Sequence, residues 1–266
     1  MENPISDPWH QLRRLTTARI ALGRTGGSLP TRELLDFRLA HARARDAVHA
    51  PFDPDAFADR LRSLGTETLC LESAAATQTD FLRRPDLGRR LAASSRARLR
   101  ARDAAGGRNP CDLVIIISDG LSSRAAVEHG PPLLAALIPL IRQSGWKLAP
   151  LVVARHGRVA LQDEIGELLH ARLSLILLGE RPGLGAADSL GAYFTYAPHP
   201  GLTDAARNCV SNIRAEGFPP ATAAQKLFYL ITQSLQRGLS GVDLKDDALL
   251  LTAQPSKPLL ADNQGV

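Results

Sequence analysis

Asp112-Leu113-Val114-Ile115-Ile116-Ile117-Ser118-Asp119-Gly120, near the middle of a chain of 266 residues, is the stretch that decides the fold. A short apolar run that stops at Asp-Gly reads as a strand buried on both faces, the kind a parallel sheet uses. Comparable runs follow at 148–154 and 173–178, with a weaker one at 192–197. Between them stand helical patterns at 133–141, at 161–170 with an amphipathic stripe, and at 221–236 behind Pro219-Pro220. Strands alternating with helices in this way predict an α/β fold with a parallel sheet.

Toward the N-terminus the pattern turns helical. Ser28-Leu29-Pro30-Thr31 supplies start chemistry, and Leu34, Phe37, Ala44 and Val48 recur on one helix face until Pro51. Asp53-Pro54 predicts a second helix: a capping carboxylate, proline in the first turn, a stripe of Phe57, Leu61 and Leu64, and Gly65 as the stop. Residues 66–72 alternate as a short strand or extended segment does. Pro85-Asp86 opens a third predicted helix through Leu87, Leu91 and Leu99, running out at Gly106-Gly107. The expected division is therefore a mainly helical region, 1–108, a sheet domain, 109–247, and a polar tail, 248–266.

Composition sets the outer limits. A hydrophobic share of 44% suffices for a sizeable core. The longest apolar runs, 113–117 and 133–141, fall far short of the ~20 residues a membrane span needs, and Met1-Glu2-Asn3-Pro4 does not open like a secretory signal. Three widely spaced cysteines, Cys70, Cys111 and Cys209, predict reduced thiols in a cytosolic compartment, without a disulfide frame or structural zinc. Up to Arg108 the chain carries 19 arginines, no lysine and 13 acidic residues, a net of +6, whereas the remainder nets −1. Clustered arginines can bind nucleic acid, but arginines spaced through helices read more simply as a solvated or partner-facing surface.

In open α/β sheets ligands bind beyond the carboxyl ends of the strands, so the turns there are the candidate site. Ser118-Asp119-Gly120-Leu121-Ser122-Ser123 offers backbone donors and hydroxyls, or is an ordinary Asp-Gly turn. Arg155-His156-Gly157-Arg158-Val159 sets two arginines about a glycine, as a ligand loop or an exposed basic loop does. Gly179-Glu180-Arg181-Pro182-Gly183-Leu184-Gly185 is glycine-rich, yet Asp188 stands where a dinucleotide fingerprint needs glycine. Glu180 there can accept hydrogen bonds from an amide-bearing ligand, or pair with Arg181 or Arg158. Neither a phosphate-binding loop nor a hydrolase elbow is written in the chain, and His129, His156 and His199 lack metal-ligand spacing. Cys209 reads as a packing or contact cysteine, with a nucleophile as the other reading.

The same turns, taken in order with Asp163-Glu164-Ile165-Gly166-Glu167 and Cys209-Val210-Ser211-Asn212-Ile213, closely resemble the small subunit of ethanolamine ammonia-lyase. Ala18-Arg19-Ile20, Gly23-Arg24-Thr25-Gly26 and Arg84-Pro85-Asp86-Leu87-Gly88-Arg89-Arg90-Leu91 extend the resemblance, which covers roughly residues 7–244. It implies a Rossmann-like sheet domain in an adenosylcobalamin-dependent carbon–nitrogen lyase that converts ethanolamine to acetaldehyde and ammonia. In that family a large (β/α)₈ subunit holds the substrate and the radical chemistry, which starts with homolysis of the cobalt–carbon bond. The small subunit covers the barrel mouth in a hetero-oligomer. The resemblance therefore assigns this chain no catalytic residue and no metal ligand.

Carried over position by position, its cobalamin contacts fall on Val159, Glu180 and Cys209. Ser118, Asp119, Gly120 and Gly183 join them as weaker candidates from position alone. Base-on cofactor binding is expected, since the chain lacks the Asp-x-His-x-x-Gly pattern of base-off binders. The family-like sequence begins almost at once, at about Asp7-Pro8-Trp9, without the long extension that members packaged in bacterial microcompartments often carry. The free cytosol is thus the expected location and a microcompartment the second. The arginine-rich helical region becomes the expected docking surface for the large subunit. A free-standing ligand-binding enzyme using Glu180 with His156, and a basic nucleic-acid-binding module, are the other classes open to the sequence.

Overall fold

The structure is a computed structural model and describes residues 9–16, 18–106 and 109–246. The expected tail, 248–266, and Gly107-Arg108 at the expected domain boundary lie outside those residues. The helices are α1 (Thr31–His49), α2 (Pro54–Leu61), α3 (Gln78–Arg83), α4 (Ala93–Gly106), α5 (Ser123–Gln143), α6 (Leu161–Leu168) and α7 (Pro220–Arg237). The strands are β1 (Thr68–Glu72), β2 (Cys111–Ser118), β3 (Leu151–Arg155), β4 (Ala171–Gly179), β5 (Leu190–Tyr196) and β6 (Arg207–Ile213).

The strands form one sheet in the order β1-β3-β2-β4-β5-β6. The α/β expectation holds, with four parallel strands extended at one edge by antiparallel β5 and β6. Period-two alternation divides the sheet's side chains between two cores. Leu113, Ile115 and Ile117 face α2, α5 and α7, whereas Val114 and Ile116 face α4 and α6. Each such fully buried side chain contributes about 1.5–3 kcal/mol relative to leaving it exposed. From β2 the chain passes through α5 to β3 on one side, then through α6 on the opposite face to β4 on the other. A crevice therefore opens where these connections diverge, at the carboxyl ends of β2, β3 and β4.

Local chemistry explains where the elements start. Asp53 Oδ1 accepts hydrogen bonds from Asp55 N and Ala56 N, both at 3.0 Å, with Pro54 in the first turn of α2, as the sequence predicts. The α5 helix starts ten residues before the expected 133–141, with Ser122 as its cap, and it tolerates Pro131, Pro132 and Pro139. A proline at 131 frees the Val127 carbonyl four residues earlier, and Arg60 Nη2 reaches that oxygen at 3.5 Å.

One expectation is corrected, and two features go beyond what the sequence led one to expect. The helix opening at Pro85 is instead a short 3-10 turn, Leu87–Arg89, followed by an extended break and then α4. The break persists because Leu91 N bonds Glu164 Oε2 at 2.8 Å and Ala92 N bonds Glu72 O at 2.9 Å, so these amides serve tertiary contacts. The β6 strand was not foreseen, since only Val210 and Ile213 along it are buried. A buried, two-pronged pair fixes β6 against α6: Arg207 Nη1 and Nη2 meet Asp163 Oδ1 and Oδ2 at 2.6 and 2.7 Å. Finally, the apolar face of α1 packs little against its own chain, with Ala47 its only buried residue and Phe37 41% exposed.

The β2–α5 turn lies backbone against backbone on the end of β4, where Leu121 N donates to Gly179 O at 2.8 Å. A Cβ on Gly179 would stand 1.9 Å from Ser122 O, and one on Gly120 would stand 2.4 Å from Gly179 O. Gly179→Ala is accordingly expected to lower stability by about 3 kcal/mol, read by urea unfolding. A loss below about 1 kcal/mol would mean that the turn can move aside.

Candidate functional site

A buried polar knot holds the ends of β2 and β3. Asp119 Oδ1 accepts from the Ser118 hydroxyl at 2.9 Å, from Gly120 N at 3.1 Å and from His156 N at 2.7 Å. Ser118 Oγ in turn accepts from Gly157 N at 2.9 Å. His156 adopts a left-handed conformation, φ 57°, which costs a non-glycine residue about 1–2 kcal/mol. The knot offsets that cost. His156 O accepts from Ser73 Oγ at 2.8 Å, and Nδ1 lies 2.9 Å from Ala75 O, an acceptor only, so Nδ1 carries a proton. The imidazole stacks on Phe81, ring centres 5.7 Å apart. Burial pushes the Asp119 carboxyl above its usual range, while His156 and the three donors pull it back.

Above the knot lies an open cavity of about 400 Å³, lined by residues that include Phe81, Gly120, Gly157, Arg158, Val159, Gly179, Glu180, Arg181 and Tyr193. Val159 and Glu180 thus reach one cavity from the ends of β3 and β4. Glu180 Oε2 accepts from Ser189 Oγ and, at 3.3 Å, from Asn212 N, and Tyr193 OH stands 3.5 Å from Oε1. Cys209 is not on a loop: it lies on β6, directly across from Tyr193. Tyr193, with its hydroxyl 3.5 Å from the Glu180 carboxylate and its backbone across from Cys209, links these two positions and lines the same cavity as Val159.

Of the weaker candidates, Gly120 lines the cavity, Ser118 and Asp119 are buried beneath it, and Gly183 sits in a turn closed by its N–H on Ala186 O at 2.7 Å. Sequence reading missed Tyr193, a tyrosine within the weakest strand signal, and Phe81, which lies in the unforeseen α3. A Glu180–His156 pair is not formed among the described residues; each has other partners. Glu128, His129 and Asp188 bring their ligand atoms within 4.8 Å of one another, a grouping that sequence spacing hid. Glu128 is taken by Arg124 at 2.8 Å and His129 by Asp188 at 3.1 Å, which ties α5 to the loop before β5.

Residues 6–245 match the protein-family model described as Ethanolamine ammonia-lyase light chain (EutC). The chain belongs to that family. It is 57% identical over 244 residues to an ethanolamine ammonia-lyase small subunit from Azotobacter vinelandii, covering 91% of this chain and 89% of that one. Small subunits from Pseudomonas paraeruginosa, 54% identical over 95% of this chain and 92% of theirs, and Ralstonia nicotianae, 54% over 91% and 89%, are similarly close.

In this member of the light-chain family the cavity wall carries both kinds of polar group: carboxylate acceptors from Glu180 and guanidinium donors from Arg158 and Arg181. Cys209 is exposed, yet packing around the sulfur pushes its thiol up, the Tyr193 hydroxyl lowers it and the Glu180 charge raises it. Burial also holds the Tyr193 phenol well above its ordinary value, so it stays neutral through physiological pH.

Two outcomes follow from this geometry. Asp119→Ala strands several buried donors and is expected to cost about 3 kcal/mol in urea unfolding, with Asp119→Asn retaining part of the loss-free geometry. For the thiol, Tyr193→Phe removes a donor to the thiolate, so its pKa rises and alkylation at pH 8 slows. Glu180→Gln removes a repelling charge and speeds it. Iodoacetamide labelling of Cys209 followed by mass spectrometry reads both; opposite signs would refute the contact.

Proposed function

We propose that this chain is the small subunit of an adenosylcobalamin-dependent ethanolamine ammonia-lyase, a carbon–nitrogen lyase that converts ethanolamine to acetaldehyde and ammonia together with a large subunit. The observation that carries the reading is the convergence of Val159, Glu180 and, through Tyr193, Cys209 at the carboxyl edge of the sheet in a chain of this family.

The residues fit the cofactor chemically. A corrin ring is edged with amide side chains, each offering a donor and an acceptor, and this wall supplies carboxylate oxygens and guanidinium N–H groups side by side. When bound, the cofactor supplies the radical that starts the reaction; the difficult chemistry is its own. What this chain's residues do is bind and orient. Glu180 is held by Ser189 and Asn212, so its carboxylate meets the ligand already positioned. Val159 and Cys209 give apolar contact, and the neutral Tyr193 keeps the floor between them closed to water. Base-on binding belongs to the same reading.

The arginine-rich region and the exposed apolar side chains of α1 are read as the surface that docks the large subunit in a hetero-oligomer. No helix among the described residues is long and apolar enough to cross a membrane. The reading assigns neither membrane nor nucleic acid as a partner; Arg84, Arg90, Arg96 and Arg102 are engaged with carboxylates of this chain. It places the protein in the cytosol, with a microcompartment as the second location.

Co-expression with the large subunit from the same organism, followed by an acetaldehyde assay, tests the proposal. The pair is expected to co-purify and to form product only with adenosylcobalamin, with neither chain active alone. Glu180→Ala is expected to raise the cofactor concentration for half-maximal activity about tenfold. Chains that do not associate and form no acetaldehyde would refute the reading.

A further inference from the structure

Arg158 is unusual among the arginines of this chain. Its guanidinium lies over the Phe81 ring, Cζ 4.1 Å from the centroid, and Nη2 donates to Phe81 O at 2.9 Å. Among the described residues Nε is buried without a hydrogen-bond partner, as Arg207 Nε also is, but Arg158, unlike Arg207, has no ion pair and no hydrogen bond from Nη1. Buried donors are rarely left unmade without cause. The local backbone accommodates this side chain: a Cβ on Gly88 would lie 2.8 Å from Arg158 Cγ, and Gly88 O accepts Arg158 N at 2.8 Å. The residue after Gly88 is Arg89, and Arg181 lines the same cavity as Arg158. Neither Arg89 nor Arg181 forms an ion pair among the described residues, unlike Arg90, Arg96 or Arg207. Glu180 shares the cavity, but Ser189, Asn212 and Tyr193 already engage its oxygens. Burial, together with the charges of Arg89 and Arg181, holds the Arg158 guanidinium below its ordinary value, so an added negative charge there is favoured.

We propose that Arg158, flanked by Arg89 and Arg181, forms an oxyanion subsite of this cavity that takes a phosphate group. The inference rests on the cofactor reading for its source: the phosphodiester in the nucleotide arm of the cobalamin. A free phosphate ion is the other source, and the experiment separates the two. Guanidinium suits the task because its fork of N–H donors matches phosphate oxygens in pairs.

The test uses the full chain co-purified with the large subunit, with equilibrium dialysis against cobinamide and cobinamide phosphate, which differ by the phosphate alone. Wild type is expected to hold cobinamide phosphate about tenfold tighter, and Arg158→Gln to lose that preference, weakening cobinamide phosphate several-fold more than it weakens cobinamide. Arg181→Gln, at an exposed position, is expected to show a smaller loss in the same direction. Equal binding of the two corrinoids by wild type, or an equal loss of both in Arg158→Gln, overturns the subsite. Should neither corrinoid bind, the cofactor reading fails, and ³¹P line broadening of inorganic phosphate decides the subsite alone. Broadening by wild type that Arg158→Gln lacks sustains it, and its absence overturns it.

Discussion

The Asp119 carboxylate is the constraint on which the rest of the site depends. One oxygen gathers a hydroxyl and two backbone amides from β2 and β3, and so fixes the relative height of two strand ends that side-chain packing alone leaves free. Its burial disfavours charge, and the surrounding donors oppose that in part; an apolar residue could fill the space but could not hold His156 in its left-handed turn. From that turn, Gly157, Arg158 and Val159 are delivered to the cavity in sequence.

Topology then determines what meets them. Because β2 lies between strands that connect over opposite faces, the crevice opens at its carboxyl end, with Phe81 of α3 at its edge. The antiparallel extension through β5 and β6 is what brings Tyr193 and Cys209 alongside Glu180, since pairing across β5 and β6 sets residue against residue. A purely parallel continuation would have placed the next strand end, rather than a strand middle, beside Glu180.

Much of this was legible in the sequence, and the exceptions have physical causes. The buried strands and α2 were readable because burial on both faces and capping are local signals that tertiary contacts reinforce. The break at Arg90-Leu91-Ala92 was not, because it depends on Glu164 and Glu72, which lie far off in the chain. The early turns of α5 were hidden by prolines whose cost is met elsewhere. The β6 strand left almost no apolar trace, since Val210 and Ile213 are its only buried residues and the rest are polar or a cysteine. The turns carrying Val159 and Glu180 stood out by composition and position, whereas the link that Tyr193 makes to Cys209 arises only from strand register.

Gly120 and Gly179 touch through their main chains, so the separation of those two turns is set by the radii of backbone atoms and not by the volumes of side chains. The cores on either face can exchange one aliphatic residue for another, and the helices packed on them can shift by fractions of an ångström to suit. The mouth of the cavity does not inherit those shifts. The dimensions of the opening are thereby uncoupled from small changes of side-chain volume in the interior.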